Sequence, residues 1–141
     1  MIKNTKISIF KSLFKASDVP YCIQLDQALT RIKEGKSKNI IDKMMKLEGD
    51  ARSKLKNTLP CIIFSGEFSQ RRKSGLKEHS GLMVLDFDKI PNNKMAMMFD
   101  QLKQNKHIVS VFMSPSRNGY KAIVSIPKCT AKEHEQYFKQ F

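Results

Sequence analysis

The sequence predicts a mixed α+β fold, with a split βαβ sheet of the ferredoxin or RRM type in its second half and a helical and strand-containing extension before it. Two observations carry this expectation. From about residue 82 the apolar pattern switches between short strand-like runs and a helical period in the order β-α-β-β-α, five-sixths of a split βαβ unit. Before Pro60 the helical period dominates instead.

Each element has its own signal. Lys6 to Phe10 and Tyr21 to Leu25 read as strands, joined by a turn at Asp18-Val19-Pro20. Leu25, Ala28, Leu29 and Ile32 then recur at helical spacing, and Gly35 sits where such a helix stops. Ile40, Ile41, Met44, Met45 and Leu47 mark a second helix; Ala51, Leu55 and Leu59 mark a third, closed by Pro60. Cys61 to Phe68 reads as one strand and Ser69 to Gly75 as a basic loop. Leu82-Met83-Val84-Leu85 has the continuous apolar character of a central strand and runs into Asp86-Phe87-Asp88. A helix follows Pro91-Asn92-Asn93 with Met95, Met98, Phe99 and Leu102 on its apolar stripe. Ile108 to Met113 and Lys121 to Ile126 read as strands around a turn at Ser114–Gly119, and a last helix begins near Thr130, carrying Glu133, Tyr137, Phe138 and Phe141. The expected organisation is one domain over residues 1–141, a mostly helical basic part (1–60) followed by the RRM-like part (61–141), as the N-terminal fragment of a longer protein. The closing strand of the split βαβ unit is missing; either Cys61 to Phe68 takes that sheet edge or the strand lies further along the gene.

Composition narrows the function class. The 141 residues carry a formal charge of +13, with 17 Lys and Arg against 7 acids in residues 1–77 and 9 against 6 in residues 78–141. A surplus of this kind suits a polyanion, because each cation set on a phosphate releases condensed counterions. No apolar run approaches the roughly 20 residues of a membrane span, and the N-terminus has no signal-peptide core, so a cytoplasmic setting is expected. Cys22, Cys61 and Cys129 have no CxxC spacing and read as small packing residues in a reducing compartment. His107 and His134 read as surface residues.

The chemistry gathers at two motifs. Asp86 and Asp88, two apart at a strand end, point to one face, and close carboxylates of this kind suit Mg²⁺ or Mn²⁺. Ser114-Pro115-Ser116-Arg117-Asn118-Gly119 permits a tight turn with exposed backbone N–H groups, a concavity suited to phosphate. In a split βαβ sheet the third strand lies antiparallel beside the first, so Lys121 and this turn are expected next to Asp86 and Asp88. Ser114, Ser116, Arg117, Asn118, Gly119 and Lys121 are therefore the expected nucleotide-phosphate ligands. Arg71, Arg72, Lys73, Lys77 and His79, just before the strand, are candidates for holding nucleic acid.

The stretches Leu59 to Phe68, His79 to Asp88 and Ser114 to Lys121 resemble the N-terminal domain that precedes virulence-protein-E-type helicases in mobile elements and phages of Bacteroidetes type. That domain is similar to the archaeo-eukaryotic primase superfamily, whose marks are a hydrophobic strand ending in DxD, a Ser-Gly-containing phosphate turn and a later third acid. The resemblance spans about Ile7 to Phe141. It implies a primase-polymerase-like fold and two-metal nucleotidyl transfer on a single-stranded or primed DNA template, with nucleoside triphosphates as substrates and a helicase downstream. Asp86 and Asp88 match its metal-binding acids, and Ser116 and Gly119 its phosphate turn. Lys121 stands where that superfamily has histidine, Arg117 where it has glycine, and no third acid follows Lys121 outside the expected helix with Glu133 and Glu135. The rival reading is a non-catalytic RRM-like nucleic-acid-binding module, with Phe112 and Tyr120 available to stack bases. Val84 to Asp88 also resembles the first motif of haloacid-dehalogenase-type phosphatases, but 53 residues after Asp88 are too few for that family's later motifs.

Overall fold

A computed structural model describes residues 4–11, 20–71 and 73–140, with Lys73 and Gln140 described by backbone alone. The chain is mixed α and β, and divides into two compact units, Met1–Ser80 and Gly81–Phe141.

The first unit holds β1 (Lys6–Phe10), β2 (Tyr21–Gln24), α1 (Leu25–Lys33), α2 (Lys38–Met44), α3 (Gly49–Lys56), β3 (Cys61–Ile63), β4 (Gly66–Phe68) and β5 (Leu76–His79). Its strands form an antiparallel sheet in the order β2-β1-β3 and a separate β4-β5 pair. The fully buried side chains come from β1 (Ile7, Phe10), α1 (Leu25, Ala28) and α2 (Met44). Ser8 is also buried: its hydroxyl donates to the Gly66 carbonyl at 3.0 Å and accepts from the Phe68 N–H at 2.8 Å.

Several expectations change in this unit. The single strand foreseen over Cys61 to Phe68 is broken by a turn at Phe64-Ser65, and its halves join different sheets; neither supplies a fourth strand beside Asp86. Leu76-Lys77-Glu78-His79, unassigned by pattern, is a strand because it pairs with β4. The apolar stripes of the second and third helices reach the core at Met44 alone: Met45 and Leu47 are exposed, and α3 buries no residue. Leu59 is buried, but in a turn beyond the end of α3. Cys22, expected to pack, is exposed on β2. The Asp18-Val19-Pro20 turn falls mostly outside the described residues.

The second unit holds β6 (Leu82–Phe87), α4 (Met95–Gln104), β7 (Ile108–Met113), β8 (Tyr120–Ser125) and α5 (Ala131–Gln140). Its sheet has the order β6-β8-β7 with both pairings antiparallel, so the last strand lies between the first two. Strand alternation sorts the side chains. Met83, Leu85, Ala122 and Val124 face α4 and α5; Met83, Val124 and Ile126 centre a cluster joined by Leu85, Ile108, Cys129 and Tyr137. Tyr120 closes the other end of this layer, stacking on Phe99 at 5.5 Å between centroids and donating its hydroxyl to the Met95 carbonyl at 3.2 Å. Asp86 and Lys121 lie on the opposite face. The helical stripes are looser than expected: no α4 residue is fully buried, Met97 is exposed, and Phe138 points outward from α5. His107 is exposed, whereas His134, expected at the surface, is part-buried, which pushes its imidazole below its ordinary pKa. Among the described residues no helix is long and apolar enough to cross a membrane.

Candidate functional site

The C-terminal end of β6 positions the site. The register sets Asp86 directly opposite Lys121 and Phe87 opposite Tyr120, although 35 residues separate the first pair in sequence. The Lys121 ammonium donates to Asp86 Oδ1 at 2.8 Å, in an ion pair whose side chains are 34% and 52% exposed. At that exposure water screens the attraction, and the pair contributes about 0–1 kcal/mol. It is weak enough to open when a better partner arrives.

Asp88 lies one residue past β6, exposed, on the face that alternation assigns to Asp86. The turn before β8 is fastened to this strand end by backbone contacts. Ser114 N–H donates to the Gly119 carbonyl at 3.0 Å, closing the turn, and Ile90 N–H donates to the Asn118 carbonyl at 2.8 Å. Gly119 passes so close to β6 that a Cβ there would overlap the Phe87 carbonyl oxygen and lie 3.1 Å from the Asp88 Cα. Glycine is therefore required by close approach rather than by its dihedral angles. Arg117 and Lys89 take left-handed backbone conformations, with φ of 61° and 54°, which bend the two loops at a cost of order 1 kcal/mol each.

One polar atom in the turn is left over. Ser114 is 7% exposed, and its hydroxyl is buried without a hydrogen-bond partner. Such a group costs about 1–3 kcal/mol unless something pairs with it. Ser116 is part-buried, and Arg117 and Asn118 are exposed at the tip.

The structure thus brings together Asp86, Asp88, Lys121 and the Ser114–Gly119 turn. The other predicted residues belong to the first unit: Arg71 is part-buried, Lys77 is exposed on β5, and His79 is 6% exposed. Arg72 lies outside the described residues, as does the side chain of Lys73. The donor set fits a hard cation of the Mg²⁺ or Mn²⁺ kind, which is commonly held by one or two carboxylates and completed by water and substrate phosphate. Among the described residues no third carboxylate, histidine or cysteine joins Asp86 and Asp88 at metal-ligand spacing. The unpaired Ser114 hydroxyl was not foreseeable as buried, because Ser-Pro-Ser in a turn ordinarily reads as solvated.

No curated protein and no solved structure matches the chain. Residues 54–141, which include β6, the Ser114–Gly119 turn and β8, match the family described as BT4734-like, N-terminal domain. With well over half of its length matched, the chain belongs to the BT4734-like N-terminal domain family.

Proposed function

We propose that the end of β6 and the Ser114–Gly119 turn bind a nucleoside triphosphate with Mg²⁺ or Mn²⁺, and that this domain is primase-polymerase-like, acting on a DNA template in the replication of a mobile element or phage. The observation that carries the reading is the juxtaposition of Lys121 with Asp86 beside a turn holding a buried, unpaired hydroxyl. An acid pair for a cation, an ammonium for phosphate and a hydroxyl donor are the parts of a metal-nucleotide site. The strand order β6-β8-β7 supports it too, being that of three of the four strands of a split βαβ sheet. The similarity of the DxD strand and the phosphate turn to the primase superfamily and to virulence-protein-E N-terminal domains supplies the reaction class.

In this reading Asp86 and Asp88 hold the cation, and Lys121 leaves Asp86 to meet the triphosphate. Ser114 donates to a phosphate oxygen, and the exposed Arg117 and Asn118 reach the phosphates from the turn's tip. Divalent-metal chemistry would supply charge neutralisation and alignment of a primer hydroxyl with the incoming triphosphate. The basic first unit, including Arg71 and Lys77, draws in the template strand. A downstream helicase would be its functional partner.

Calorimetric titration tests the site. Mn²⁺ should bind the wild-type protein and not Asp86→Asn/Asp88→Asn; equal binding by both sinks the metal assignment. Lys121→Ala should weaken triphosphate binding by about 1.5–3 kcal/mol, the range of charge-assisted hydrogen bonds, without weakening metal binding alone. Lys121→His should recover part of the loss, more at pH 6 than at pH 8, because imidazole carries its charge at the lower pH. Affinity for single-stranded DNA should fall at least about tenfold between roughly 50 and 200 mM salt.

A second reading is favoured by two observations: Asp86 already has a cationic partner, and among the described residues no third acid joins it and Asp88 at metal-ligand spacing. It makes the domain a non-catalytic nucleic-acid-binding module. Nucleotide incorporation into a primed template separates the two, since the module binds DNA and incorporates nothing.

A further inference from the structure

We propose a second nucleotide site, in the first unit, in the groove between β2 and α1. It would take a nucleotide whose base carries an amino group, stacked on Tyr21, with the amino group donating to Asp26 and the phosphate on Lys11 and Arg31. The groove has a volume of about 780 Å³, and all four residues line it. That volume lies within the range of roughly 300–1,000 Å³ usual for small-ligand sites.

Three features of the groove converge on this ligand. Tyr21 is 67% exposed on the edge strand of the sheet, the most exposed large apolar side chain among the described residues. An aromatic ring held out by a strand offers a stacking platform that costs little ordering, since its backbone is already fixed. Lys11 and Arg31 bring positive charge to the same groove. Glu34 and Lys36 also line it, but they pair with each other at 3.4 Å and largely cancel.

The third feature selects the base. Asp26 lines the groove, and its Oδ1 is buried with no hydrogen-bond partner. A carboxylate oxygen withdrawn from water without a donor is unfavourable, so turning the group toward a donor in the groove relieves that cost. The amino groups of cytosine, adenine and guanine are such donors. Thymine offers only an imide N–H, flanked by two carbonyl oxygens that repel a carboxylate. Ring, cation and acceptor together describe a nucleotide, supplied either free or as one residue of a single strand.

This site does not depend on Asp86 and Asp88, and the test separates the two. The chain has no tryptophan, so binding is read from fluorescein-labelled dC8 and dT8 by anisotropy at low salt, and from dCMP by calorimetry. The dC8 octamer should bind more tightly than dT8 by at least about threefold, as expected when a polar group must be paired. Tyr21→Ala should weaken dC8 binding about fivefold or more, the lower bound for loss of one stacked base. Asp26→Asn, which keeps the shape but adds donors, should abolish the preference for dC8. All of these should persist in Asp86→Asn/Asp88→Asn protein. If dCMP binds with the same Tyr21 dependence, the ligand is a free nucleotide; if only octamers bind, it is a strand. Wild-type binding by Tyr21→Ala, equal affinity for dC8 and dT8, or an unchanged preference in Asp26→Asn overturns the proposal. Circular dichroism checks that both variants are folded, which the exposure of Tyr21 and the isosteric change at Asp26 favour.

Discussion

The two units spend their charge differently. Met1–Ser80 carries 17 Lys and Arg against 8 acids, whereas Gly81–Phe141 carries 9 against 5. Yet the second unit holds the closer arrangement: one antiparallel ladder sets Lys121 2.8 Å from Asp86 and clamps the Ser114–Gly119 turn against the strand end. In the first unit the described cations ride on short helices, on turns and on β1 and β5, and α3 buries nothing. Abundant charge gives attraction at a distance; a ladder gives placement. Chemistry needs the second, and general affinity for a polyanion needs only the first.

That contrast can be tested by cutting each unit where it is anchored. Phe10→Ala, at a fully buried position of β1, should cost about 3–5 kcal/mol, and Met83→Ala about 2–5 kcal/mol. Amide exchange should show the loss concentrated in β1–β3 for the first and in β6–β8 for the second; equal spreading would merge the two units into one. Gly119→Ala should destabilise by about 3 kcal/mol through its clash with Phe87, and should abolish Mn²⁺ binding with it. Gly49→Ala, left-handed at φ 60° but with nothing within 4 Å of its would-be Cβ, should cost only about 1 kcal/mol by urea denaturation.

The smallest effects fall at α5. Thr130 and Glu133 cap this helix reciprocally, Thr130 N–H donating to Glu133 Oε1 at 3.1 Å and Glu133 N–H to Thr130 Oγ1 at 3.2 Å. Thr130→Ala should cost about 1 kcal/mol. The Thr130 backbone N–H, and then its side chain, hold the Glu133 carboxyl below its ordinary pKa. A lowered folded value means that this contribution is complete above the unfolded carboxylate pKa and is lost as pH falls through the folded one. Glu133→Gln keeps the acceptor and should flatten that acid limb of helix content measured by circular dichroism.

What could be read in advance follows the length of each signal. β6 announced itself because four consecutive apolar residues lead into two acids, and α4 because its apolar positions recur at helical spacing from Met95 to Leu102. The nearness of Lys121 to Asp86 and Asp88 followed from element order in a split βαβ sheet, whereas the register that sets Lys121 opposite Asp86 did not. β5 was illegible: Leu76-Lys77-Glu78-His79 has one clear apolar residue and becomes a strand only because β4 lies beside it. The break at Phe64-Ser65 was hidden inside a run of strand-formers. Tyr21 and Asp26 carry no signal of a site in the sequence, because each is ordinary locally; only the apposition of β2 with α1 makes a groove of them.

Ser8 shows how little can join two sheets. The ladders of β2-β1-β3 and of β4-β5 end separately, and the Ser8 hydroxyl fills the gap as a substitute rung, taking the Phe68 N–H and satisfying the Gly66 carbonyl. A side chain that does the work of a peptide group leaves no room for drift at its position. Alanine would strand two backbone groups at once, and valine would add a branch as well. In the alternation of Lys6-Ile7-Ser8-Ile9-Phe10, Ser8 looks like the replaceable solvent-facing residue, and a library that varied it freely on that basis would unpick the seam between the sheets.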